Sequence, residues 1–153
     1  METKDSQQTI SLLNDLIRTN NDRTEGYEKA VKETEDTQLK SLFYSMEQES
    51  RKNKNELLTE VIKLGGTPEE GTSLSGKIFR VWMDFKSALS GKNRKAIVAS
   101  CEHVEEVTLE NYKEVIHSGK LPAQYLTMIS EQNNTLLQSF ERIKLMKDTV
   151  KSL

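Results

Sequence analysis

SLSGKIFRVWMDFKSALSGKNRKAIVASCEHVEEVTLENY, residues 73–112, is the stretch whose reading decides the fold. Ile78, Val81, Trp82, Phe85 and Leu89 recur at steps of three and four, which predicts a short amphipathic helix over 74–89 with Ser73 as its N-cap. Ser90-Gly91 closes it, and Asn93 caps a longer helix over 94–118 that turns Ile97, Cys101, Val104, Thr108 and Tyr112 inward. In front of the short helix lies GGTPEEGTS, residues 65–73, the one substantial loop in the chain. Loop and short helix together supply roughly thirty residues, enough to run the length of a helical bundle at about 1.5 Å per helical residue.

Outward from this stretch the chain reads as two helical hairpins. Ile10, Leu13, Ile17, Asn20, Thr24, Tyr27 and Val31 mark the seam of a first helix over 6–32, in which Gly26 leaves room for a close neighbour. Asp36 or Thr37 caps a second helix over 37–64, ended by Gly65-Gly66 with Pro68 barring its resumption. Gly119 stops the third long helix, and Pro122 opens a fourth over 122–151. The expectation is a single all-α domain over 1–153, a four-helix bundle. Its long crossover, holding the extra short helix, lets the second and third long helices run parallel, as in the ferritin-like topology.

Composition narrows the function. The 22 basic and 24 acidic residues nearly cancel, and the densest basic run, Arg51-Lys52-Asn53-Lys54, is flanked by Glu47, Glu49 and Glu56, so no nucleic-acid partner is expected. No apolar run reaches the ~20 residues of a membrane span. A single cysteine and an N-terminus without an apolar leader lead to the expectation of a cytoplasmic protein.

All four long seams turn polar at one height: Asn20 and Thr24, then Glu49 and Asn53, then Glu105 and Thr108, then Gln132 and Asn133. Burying these groups costs several kcal/mol unless each finds a partner. One reading is a layer that fixes helix register. The other is a carboxylate metal site, with Glu49 and Glu105 as ligands, Glu102 and Glu28 as helpers, and iron or manganese as the cation. The metal reading lacks its usual histidines: no Glu-x-x-His occurs, His103 points off the Cys101–Glu105 face, and His117 lies at a helix end. Cys101 has no histidine on its own face to activate it, and no catalytic constellation is visible. Trp82, on a stripe with Ile78 and Phe85, reads first as core or the filler of a groove. In the other reading Trp82 and Phe85 are candidates for an interface with a second copy or another helical protein.

Leu13-Asn14-Asp15-Leu16-Ile17 with Asn20, Asp22 and Gly26-Tyr27, then Leu64-Gly65-Gly66-Thr67-Pro68, carry a resemblance that spans nearly the whole chain. Phe79-Arg80-Val81-Trp82, Lys86 to Gly91, Cys101-Glu102, Glu105-Glu106 and Tyr112 complete it. The chain resembles an uncharacterised bacterial family of single-domain four-helix bundles placed in the ferritin-like superfamily. The resemblance implies a cytoplasmic helper protein linked to stress, of unestablished activity. It also implies histidines where this chain has Phe79 and Phe140, and their loss weakens any metal role.

Overall fold

The computed structural model describes residues 4–73 and 76–152. It is all-helical, with α1 Lys4–Glu33, α2 Thr37–Lys63, α3 Lys77–Gly91, α4 Arg94–Ile116 and α5 Ala123–Ser152, and no strand among the described residues. Asp36 caps α2 by accepting from the Gln38 and Leu39 amides at 3.0 and 3.1 Å, and Asn93 caps α4 by accepting from Ala96. Gly65, at φ 85°, ends α2 in a left-handed turn that returns the Gly66 amide to the Val61 carbonyl.

Helix ends differ from expectation by up to three residues. Ser90 and Gly91, expected to close the short helix, lie inside α3, and Lys92 at φ 55° takes its C-cap. Ser73 does not cap α3, because the helix begins only at Lys77 and Gly76 takes the cap position, while Ser73, still in the preceding loop, gives its amide to Asp22. The expected first residues of that helix, 74 and 75, lie outside the described residues. Pro122 stands one residue before α5, where its carbonyl accepts the first helical amides.

Cross-helix bonds fix the directions. Arg94, opening α4, pairs with Asp36, opening α2, so these two helices start at the same end. Asn20 meets Tyr112, and Arg23 meets Glu105, so α1 runs against α4. Gln132 meets Glu56, and Ser139 meets Glu49, so α5 runs against α2. With α2 and α4 parallel, the chain between them must return the full length of the bundle.

That return is laid along α1. Asn14 Nδ2 donates to the Thr67 carbonyl at 3.1 Å and its Oδ1 accepts from the Glu69 amide at 2.9 Å. Asn21 donates to the Gly71 carbonyl at 2.9 Å, and Asp22 accepts from the Ser73 amide at 3.0 Å. Alternate residues of an extended strap are thus pinned by side chains two turns apart on one helix. Then α3 settles on the same helix, with Trp82 against Gly26 so closely that a Cβ there would stand 2.1 Å from Cζ3. The neighbour for which Gly26 leaves room is Trp82.

Trp82 and Phe85 are therefore core, not interface. They are 7% and 0% exposed and pack edge-on to each other and to Tyr27, while Phe43 stacks on Tyr27 with centroids 5.6 Å apart. Each such aromatic contributes on the order of 2–3 kcal/mol by leaving water. This aromatic cluster fills one half of the bundle. A second, aliphatic cluster around Leu13, Ile17, Leu57, Tyr112 and Ile129 fills the other.

Candidate functional site

Between the two clusters lies a buried charged network. Its centre is Arg23, three residues after Asn20 and four before Tyr27, which puts all three on one face of α1. Arg23 is fully buried. Its Nη2 and Nε donate to the two oxygens of Glu105 at 2.6 and 3.1 Å, a bidentate fork. Its Nη1 donates to Glu49 Oε1 at 3.1 Å and to Ser50 Oγ at 2.7 Å. Tyr27 donates to Glu105 Oε2 at 2.9 Å and lies 3.5 Å from Cys101 Sγ, and Ser139 donates to Glu49 Oε2 at 2.9 Å.

The charges are arranged for fixation. Burial works against the guanidinium's charge, and the Glu105 and Glu49 carboxylates outweigh it, so Arg23 stays ionised. Burial pushes the Glu49 carboxyl up, and Arg23 with the Ser139 hydroxyl only partly restores it. Burial likewise drives the Tyr27 hydroxyl and the Cys101 thiol well above their ordinary ranges, with the Glu105 charge adding to both. Neither is a nucleophile in this setting.

A second network adjoins the first. Asn20 donates to the Tyr112 hydroxyl at 2.8 Å, Tyr112 donates to Gln132 at 2.8 Å, and Gln132 donates to Glu56 at 2.9 Å and to the Asn53 carbonyl at 3.3 Å. Thr108 returns its hydroxyl to the Val104 carbonyl, and Asn133 is half-buried on α5. Asn20 Oδ1, Thr24 Oγ1 and Asn53 Nδ2 are buried without a hydrogen-bond partner among the described residues.

Of the four glutamates named as metal ligands, the fold brings two together. Glu49 and Glu105 share Arg23, but Glu102 pairs with Lys147 at 2.7 Å, and Glu28 with Lys32 and Arg51 at 3.2 Å each. All four oxygens of Glu49 and Glu105 already accept from an N–H or O–H. The cation at their centre is an arginine, which would repel a metal ion. No three His, Cys, Asp or Glu side chains among the described residues converge as ligands. These carboxylates do not fit iron or manganese.

Sequence reasoning missed Arg23, together with Ser50, Glu56 and Ser139. Arg23 was legible in one respect: position 23 continues the seam from Asn20 to Tyr27 as well as Thr24 does.

No curated protein matches the chain. Arg23, Tyr27, Glu49, Ser50, Cys101 and Glu105 all fall within residues 8–118, whereas Gln132 and Ser139 lie beyond them. Residues 8–118 are matched by the model of one family, described as Domain of unknown function (DUF2383), and the chain belongs to that family.

Proposed function

We propose that this chain is a ferritin-like four-helix bundle, with α3 in its single long crossover, that acts by association with itself and not by catalysis. The observation that carries the reading is Arg23, held by Glu105 and Glu49 at the height where ferritin-like bundles hold metal ligands. The guanidinium takes the place of a dissociable cation with a covalently attached one, and the acids that would do chemistry are spent on it. What supports association is α5, whose Leu137 and Leu145 are 43% and 66% exposed two turns apart. No described helix is long and apolar enough to cross a membrane. The bacterial, cytoplasmic and stress-linked setting rests on the family resemblance.

Sedimentation equilibrium on the wild type and on Leu137→Ser/Leu145→Ser tests the reading. A self-associating wild type and a monomeric variant are expected. A monomer at every concentration in both sinks the association. Thermal melts of metal-stripped protein with added Fe(II), Mn(II) or Zn(II) complete the test, because a stabilising shift lost in Glu105→Gln would reinstate a metal role.

A further inference from the structure

A cavity of about 70 Å³ opens between α1, the strap and α3. Asp22 and Glu25 line it from α1, Ser73 from the strap, and Phe79, Trp82 and Met83 from α3, with Lys86 also on its wall. Asp22 is 7% exposed. One of its oxygens accepts from the Ser73 amide, while Oδ2 has no hydrogen-bond partner among the described residues. A carboxylate oxygen buried without a donor is costly, and a charged donor relieves that cost most. Arg18, one turn before Asp22 on α1, is committed to Asp15 at 2.8 Å, and the adjacent Arg23 gives its N–H groups to Glu105, Glu49 and Ser50.

The opposite wall is apolar and open. Phe79 and Met83, one turn apart on α3, are 40% and 47% exposed. A phenyl face attracts a cation, and a thioether accommodates an alkyl stem. One water needs roughly 10–15 Å³ of such space, so the cavity takes about five groups of that size. An acid with an empty acceptor, an aromatic face and this volume select a small cation that carries both N–H donors and a short alkyl chain.

We propose that this cavity binds a primary alkylammonium, which donates to Asp22 Oδ2 and rests its alkyl chain on Phe79 and Met83. Glu25 adds a second negative charge, while Lys86 disfavours ligands with more than one positive charge.

Trp82 is the only tryptophan and lines the cavity, so its emission reports occupancy. The full chain is titrated at fixed ionic strength with n-butylammonium chloride, with n-butanol, and with Nα-acetyl-lysine N-methylamide. A saturable change with n-butylammonium and none with n-butanol is expected. Burial raises the Asp22 pKa to about 6, with Glu25 adding to it and Ser73 and Arg18 opposing. Because the ligand needs the ionised acid, half-saturation should require about tenfold more ligand at pH 5 than at pH 7.5. Asp22→Asn should abolish the response. Phe79→Ala, which leaves the Asp22–Ser73 contact in place, should weaken it about threefold to fivefold. A response to the lysine derivative as well would extend the site to lysine side chains of a partner, and a response to n-butylammonium alone would restrict it to free amines. An unsaturable wild-type response, one matched by n-butanol, or one independent of pH overturns the proposal. So does binding seen only in Lys86→Met, since Lys86 would then be the counter-ion of Asp22.

Discussion

Arg23 on α1 and Glu105 on α4 meet through two N–H···O contacts of 2.6 and 3.1 Å, and neither side chain is exposed. Removing one member strands the other in the core. Arg23→Met should cost about 3–5 kcal/mol, and Arg23→Met/Glu105→Leu should recover more than half of that loss. Urea unfolding of the two variants measures both numbers. A loss below about 1 kcal/mol in the single variant would mean that water reaches the network.

Gly26 and Trp82 form a steric pair. Gly26→Ala gains about 1 kcal/mol of helix propensity but drives a methyl into the indole, so a net loss of about 1–2 kcal/mol is expected. Trp82→Leu should be destabilising alone, yet in that background Gly26→Ala should turn neutral or stabilising. Thermal melts of the double-mutant cycle decide it.

Asp22 gives the fold a pH dependence of unusual sign. Its folded pKa of about 6 lies above its ordinary value of 3.8, so the folded state holds the proton more tightly. Stability from this group is therefore full below about pH 4 and is lost as pH rises through 6, by up to about 3 kcal/mol. Asp22→Asn, which keeps an acceptor for the Ser73 amide, should flatten the profile between pH 4 and 6 and raise stability at pH 7. A profile unchanged by the substitution would show that other groups carry the slope.

Cys101 should resist thiol reagents in the folded protein. It is fully buried beside Tyr27 and Glu105, and its pKa is pushed up, so little thiolate is present or reachable. Reaction with Ellman's reagent should track unfolding across a urea series. A fast native-state reaction would contradict the packing around Tyr27.

The architecture was legible because it depends on local chemistry. Asp36, Asn93 and Gly65 announce helix ends by side-chain and backbone geometry alone, and the length from Gly65 to Asn93 sets what the connection can span. The carboxylates of the network were legible too, since Glu49 and Glu105 interrupt apolar seams. Arg23 was not. A charged residue next to Asp22, Thr24 and Glu25 reads as solvated surface, and its burial depends on partners 26 and 82 residues away. Trp82 was legible as a core residue, but its partner was not. Its stripe on α3 revealed that something must cover it, but not that Gly26 on α1 would. Ser73 failed as a cap for a similar reason, because in the strap its amide goes to a distant aspartate and the helix begins only at Lys77.

The strap from Gly66 to Ser73 has the composition that proteases favour, with Gly66 and Gly71 flanking a proline and paired glutamates. Its contacts nevertheless come from Asn14, Asn21 and Asp22, so its resistance to cleavage belongs to another part of the chain. Glutamyl endopeptidase, which cuts after Glu69 or Glu70, would act only when the strap leaves α1, and Asn14→Ala would hasten it without altering the cut site. The bond most open to attack by sequence is thus guarded by a helix fifty residues upstream, and a nick there would divide the molecule into its two hairpins.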